Sequence, residues 1–202
     1  MLNNLLLNTP IKYLTVWRRS MKKTLALLTV VFIFSGCAAT SMIAPARQPN
    51  LAPAADKAIV VIIRDAFMGS PIVFWNYIDG KFIGETKGKT YIITQVTPGK
   101  HYLVVATENT AVAQIDFTPG RIYYLREGIA MGIWRARTSG FSPMTPQEAK
   151  EAMSSCTYLE IDPKNSVGDM DSKLYEKAIA DYHVEVKENP EGFRDILQYQ
   201  GH

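Results

Sequence analysis

The sequence predicts a mainly β protein, a small antiparallel β-sandwich with two or three C-terminal helices. Three observations carry this. Short β-branched and aromatic runs recur between Ala58 and about Thr138, Asp-Gly and Pro-Gly turns punctuate them, and helical periodicity begins only after Thr145. Short strands at such spacing suit a sandwich or barrel better than alternating α/β units.

The chain starts with an address. In MKKTLALLTVVFIFSGC (21–37), Lys22 and Lys23 form a positive n-region, and Thr24 to Phe34 is an apolar stretch. Its length falls within the roughly 7–15 residues of a signal peptide and short of the about 20 that span a bilayer. It stops at Ser35-Gly36-Cys37, small residues before a cysteine, which resembles the bacterial lipobox. There the thiol receives a diacylglyceryl group and the peptide is cut just before it. Phe34 stands where that pattern prefers Leu. Residues 1–36 are therefore expected to be removed, with Met21 the expected initiator. Cys37 is the expected lipidation site and membrane anchor. Ala38 in place of Asp points to the outer membrane, facing the periplasm, by the sorting rule of enteric bacteria.

Cleavage changes the charge argument. Of 22 basic residues, five precede Cys37 (Lys12, Arg18, Arg19, Lys22, Lys23), leaving 17 against 19 acidic. Nucleic-acid binding needs a basic face that displaces counterions from phosphates, and no such face is evident. Cys156 is left without a cysteine partner in the mature chain, as a buried free thiol or an intermolecular handle.

Residues 37–57 read as the lipidated cysteine and a flexible Ala/Pro tether, extended by its prolines and lifting the domain clear of the lipid. The sandwich is expected over 58–140. AIVVIIR (58–64) is a buried-strand run, and PIVFWNYI (71–78) follows a Gly69-Ser70 break. Asp79-Gly80 is a strong hairpin signal, because a type I′ turn needs positive φ at both central residues. KFIGET returns, then TYIITQV (90–96), HYLVVATE (101–108), AVAQIDF (111–117), RIYYLRE (121–127) and GIWRAR (132–137). Pro98-Gly99, Asn109-Thr110, Pro119-Gly120 and Gly128 read as turns.

A helical extension packed on the sandwich is expected over 141–202. Thr145-Pro146-Gln147-Glu148 is a capping box with Pro at the first helical position, opening a helix to about Ser154. A second helix starts at Asp171 or Ser172 and runs to about Lys187, with Leu174, Ala178, Ile179, Tyr182 and Val186 on one apolar face. Asn189-Pro190 ends it, and Phe193, Ile196 and Leu197 suggest a last short turn.

Several of these turns carry a resemblance. Ile78-Asp79-Gly80-Lys81, Pro98 to His101, Pro119 to Tyr124 and the Gly128-to-Gly132 segment resemble domain of unknown function 2846, a family of envelope lipoproteins. The first half is also similar to PEGA-type surface modules. The resemblance implies an immunoglobulin- or transthyretin-like sandwich and brings no catalytic residues. Its motifs are turn chemistry and speak for fold rather than activity.

Signals of chemistry are sparse. His101, His183 and His202 are far apart in sequence, and neither HExxH nor CxxC occurs. A GxSxG elbow and a phosphate-cradling glycine loop are also missing. No metal and no cofactor are expected, and His101 reads as solvent-facing or capping. Asp162, Asp169 and Asp171 in DPKNSVGDMD lack the alternate-residue ligands and closing Glu of an EF-hand. Trp75, Tyr77, Tyr123 and Trp134 are the candidate binding residues. Exposed, they would form a platform for the sugar rings of peptidoglycan; buried, they are core aromatics. The expectation is a non-enzymatic, membrane-anchored envelope domain that binds a protein partner or the cell wall. An envelope enzyme with a site hidden in sequence, or a purely structural lipoprotein, are the alternatives.

Overall fold

The computed structural model describes residues 41–202 except Met68, residues 132–135 and Ser166. Cys37 and Trp134 lie outside the described residues.

The run AIVVIIR becomes β2 (Ala58–Arg64), every residue of it buried. Both its faces are apolar because both are covered. Val60 and Ile62 point into the space between two sheets, while Ile59, Val61 and Ile63 point to the opposite face. The strands, in chain order, are β1 (Met42–Ile43), β2, β3 (Phe74–Ile78), β4 (Lys81–Thr86), β5 (Thr90–Val96) and β6 (Gly99–Ala106). They continue with β7 (Thr110–Phe117), β8 (Ile122–Met131), β9 (Ala136–Pro143) and β10 (Thr157–Ile161). One sheet has the order β1-β10-β5-β2-β8-β9 and the other β4-β3-β6-β7. This is the expected sandwich, with one refinement: the larger sheet is mixed. β2 runs parallel to β8, and β10 parallel to β5.

The Asp-Gly hairpin forms as predicted, with φ of 51° at Asp79 and 79° at Gly80. Gly128 is not a turn. β8 passes through it, and the register against β9 shifts between Gly128 and Ile129, so the glycine marks a bulge. β10 was not anticipated; TYLEI follows a helix directly and is too short to signal itself.

The tether is also corrected. Ser41 and Met42 are buried, and β1 pairs with β10 through Met42↔Ile161 and Ile43↔Glu160. Met42 belongs to the inter-sheet core. Its apolar side chain gains more from that cavity than the short segment loses in chain entropy.

The capping box builds α1 (Pro146–Ser154). Thr145 Oγ1 accepts the Glu148 N–H at 3.2 Å, and Glu148 Oε2 accepts the Thr145 N–H at 2.8 Å. Ala149 and Ala152 pack on the outer face of the larger sheet with Ile59, Val61 and Ile63. α2 (Ser172–Glu188) is capped by Asp171, and α3 (Pro190–Leu197) by Asn189. Both lie against β7. Within α2, Ala178 and Tyr182 are buried, but Leu174 is 60% exposed, so the apolar face is narrower than its periodicity suggests.

The C-terminal helices are part of the core. Ile196 joins the inter-sheet cluster, and Phe193 and Tyr199 pack against it. The tail then closes on β8: Ile122 and His202 exchange two backbone hydrogen bonds of 2.8 Å. Tyr199 OH accepts the Tyr124 N–H at 3.0 Å and donates to the Met144 carbonyl at 3.3 Å. Burial pushes that phenol up to about 12. Among the described residues, no helix is long and apolar enough to cross a membrane.

Candidate functional site

The two turns singled out in the sequence meet in space. β3 pairs antiparallel with β6, Ile78 opposite Leu103, and this sets the Asp79-Gly80 turn beside the start of β6. Asp79 N–H donates to the Tyr102 carbonyl at 2.9 Å, and Asp79 Oδ1 accepts the Tyr102 N–H at 3.0 Å. Asp79 Oδ2 lies 2.5 Å from His101 Nδ1. A neutral His101 that donates through Nδ1 leaves Nε2 as an acceptor, and the Thr97 hydroxyl is 3.3 Å from it. His101 also leans on the Phe117 ring, centroids 5.8 Å apart. It is a clasp between two hairpin ends.

Beside the clasp lies an open cavity of about 310 Å³, lined by Lys57, Lys81, Ile83, Gln95, Thr97 and His101 among others. Its lining combines the apolar Ile78, Ile83 and Val96 with two ammonium groups, the Asp79 carboxylate, a carboxamide, a hydroxyl and an imidazole. Among the described residues, neither lysine has an ion-pair partner.

A second polar group sits between the sheets at the other end. Arg64 and Glu127 end runs of inward-facing residues on neighbouring strands, and Asn76 and Thr86 face them from the smaller sheet; all four are buried. The guanidinium of Arg64 lies 3.9 Å from the Phe74 ring centroid. It donates to the carbonyls of Ile72 (2.6 Å), Gly69 (2.7 Å) and Thr86 (3.4 Å), which fixes the loop after β2. The Thr86 hydroxyl donates to Glu127 Oε2. Among the described residues, Glu127 Oε1 has no hydrogen-bond partner, and neither has the Asn76 carboxamide that faces the same carboxyl. Burial pushes the Glu127 carboxyl up to about 7, against the opposing pull of Thr86, Asn76 and Arg64.

Among the described residues, the aromatic candidates Trp75, Tyr77 and Tyr123 do not gather into a platform. Tyr123 is fully buried, which corrects its reading as a binding residue. Its strand parity points it between the sheets, where its hydroxyl accepts the Thr118 N–H and donates to the Asp116 carbonyl. Trp75 is 37% exposed on β3. Tyr77, two residues on, is half-buried edge-on to Phe82 at 5.7 Å.

The acidic run 162–171 serves the backbone. Asp162 accepts from the Lys164 N–H and the Asn165 side chain, Asp169 from the Phe82 N–H, and Asp171 caps α2. No cluster of three metal-ligating side chains occurs among the described residues. Cys156 is half-buried, and burial pushes its thiol up.

Sequence reasoning singled out His101 but not its partner, because nothing in a linear text ties a turn at 79 to one 22 residues later. Arg64 and Glu127 were legible in principle. Each stands an even number of residues from buried neighbours in its own strand, Ile62 and Leu125, so the period of two turns it inward.

The chain is 25% identical over 135 residues to an uncharacterized protein of Haemophilus influenzae, covering 64% of this chain and 79% of that protein. Residues 54–141 match the family described as protein of unknown function (DUF2846). That span starts just before β2 and ends within β9, and it contains Asp79, Thr97 and His101 but neither β1 nor the helices. What the chain shares with the DUF2846 family is this sandwich, residues 54–141.

Proposed function

We propose that this protein is an exported envelope lipoprotein, acylated at Cys37 and held at the outer membrane facing the periplasm. It acts without catalysis, by contact with a protein partner or the cell wall. The observation that carries the reading is the short distance between the lipobox-like Cys37 and the first buried residues, Ser41 and Met42. Only residues 38–40 lie between. A chain advances at most about 3.6 Å per residue, so these three residues make a short tether whatever their conformation. Such an anchor would keep the domain close to the bilayer surface. Contact at membrane level then favours a protein partner over a distant one. The test is labelled fatty-acid incorporation in cells, with crosslinking and mass spectrometry of captured proteins. Label lost in Cys37→Ala and a reproducible crosslinked partner support the reading; label retained in that variant contradicts it.

A second reading is an acyl-transfer enzyme, and one observation favours it. Thr97, His101 and Asp79 form a line of hydrogen bonds like a nucleophile, base and orienting acid. Against it, Pro98 follows Thr97 and has no N–H, so the backbone donor that often follows a nucleophile and stabilises an oxyanion is lacking. Treatment with a fluorophosphonate or activated-ester probe separates the readings. Covalent labelling of Thr97 that disappears in His101→Gln would favour the enzyme; an unlabelled Thr97 leaves the clasp a purely structural device.

A further inference from the structure

Strand directions place the cavity and Ser41, just before β1, at the same end of the sandwich. β5 starts at Thr90 opposite Arg64 and ends at Val96 opposite Ala58, so Lys57, just before Ala58, and Thr97, just after Val96, share that end. The Asp79-Gly80 turn and the start of β6 are there too. β10 runs parallel to β5, with Leu159 beside Ile92, so it points toward this end. β1 is antiparallel to β10, and Met42 faces Ile161, so Ser41 precedes Met42 on the same side. The position is also close laterally. The Met42 methyl stands 3.0 Å from the Cβ position of Gly84, and its neighbour Ile83 lines the cavity.

We propose that this cavity receives the phosphate of an anionic phospholipid headgroup from the bilayer to which Cys37 is anchored. The proposal rests on the lipid-anchor reading above. Lys57 and Lys81 supply two cations, which are free of ion pairs among the described residues. The Gln95 carboxamide adds a neutral donor beside them, while the Thr97 hydroxyl stands 3.3 Å from His101 Nε2. The carboxylate in the lining, Asp79, is already engaged by His101 Nδ1 and the Tyr102 N–H, which offsets its repulsion of an anion. Charge-assisted bonds from convergent donors are the chemistry that holds phosphate oxygens, and a volume of about 310 Å³ admits a headgroup. A domain on a short leash, with its phosphate-reading end toward the bilayer, would hold one orientation instead of swivelling about the anchor.

The test uses the processed protein purified from membranes in a non-ionic, phosphate-free detergent, with labelled histidine. The imidazole resonances of His101 are followed while glycerophosphoglycerol, inorganic phosphate or a muropeptide is added at constant ionic strength. The expected result is a saturable shift with glycerophosphoglycerol, weakened at least tenfold in Lys57→Ala/Lys81→Ala, whose melting temperature stays near that of the parent. A response to inorganic phosphate alone would make the ligand a free anion and overturn the lipid assignment. A response only to the muropeptide would move the site to the cell wall and overturn it as well. So would no saturable shift at all. Intact mass of the same sample reads the anchor separately. A headgroup response with unmodified Cys37 would sustain the pocket and refute the anchor reading, whereas an acylated Cys37 without a response would do the reverse.

Discussion

Met42 occupies the space that a side chain at Gly84 would need. A Cβ there would meet the Met42 methyl at 3.0 Å and Ile92 Cδ1 at 3.2 Å, and the backbone φ of +140° disfavours any side chain. The Met42 sulfur also accepts the Glu85 N–H at 3.4 Å. β1 is thus fastened to the sandwich at a contact shaped for Met42.

Met42→Ala should therefore destabilise the domain by about 2 kcal/mol, the low end for a buried Met truncation, because β1 is only two residues long. Limited proteolysis should then cut the released segment before Lys57 well ahead of the sandwich. An unchanged melting temperature together with an unchanged cleavage pattern would mean that β1 is not held in solution.

The Asp79–His101 clasp should matter less than the apolar core. His101→Ala should cost on the order of 1 kcal/mol, since Asp79 is partly exposed and its pairing is screened. Leu103→Ala, at a residue with no exposure, should cost about 2–5 kcal/mol. Leu174→Ala should change stability by less than about 0.5 kcal/mol, because most of that side chain is in water. Urea titrations of the three variants rank these sites directly.

Glu127 predicts a pH dependence of defined sign. Its carboxyl is held near 7 in the fold and titrates near 4.5 when unfolded. Between those values the folded state binds more protons than the unfolded one, so stability falls as pH rises through the window. Below about 4.5 there is no penalty, and above about 7 it is complete, on the order of 3 kcal/mol. Glu127→Gln should remove this slope and be more stable than the parent at pH 8. Chemical denaturation at pH 5 and pH 8 measures it; equal pH slopes in parent and variant would refute the assignment.

The C-terminal tail should be structural. Gly201 lies against the Tyr123 ring, where a Cβ would come within 2.8 Å of it, at a φ of +67°. Gly201→Ala should therefore lower the melting temperature, and removing residues 199–202 should lower it further by stripping the Tyr199 and His202 bonds from β8. A truncated chain that melts like the parent would show that the tail does not dock.

Much of this was legible in the sequence, for physical reasons. Alternating apolar runs fixed most of the strands, the positive-φ demand of Asp79-Gly80 fixed a hairpin, and Thr145 with Glu148 fixed a helix start. What escaped depends on partners far along the chain. TYLEI becomes β10 only because the edge of β5 awaits it, and an Ala/Pro-rich stretch yields β1 only because Gly84 leaves room for Met42. Tyr123 shows the same limit. Its parity follows from the period of two in its strand, but which face is covered is set by β7 and the C-terminal tail. The cavity beside His101 likewise exists only through the pairing of β3 with β6 and β2 with β5.

The proposed anchor is a lipid on Cys37, four residues before Ser41 in the sequence. Intact-mass measurement of the protein extracted from membranes tests it most directly. The account predicts the mass of residues 37–202 plus a diacylglyceryl group and, where present, an N-acyl chain. A chain that begins before Cys37, or residues 37–202 with an unmodified thiol, would contradict it.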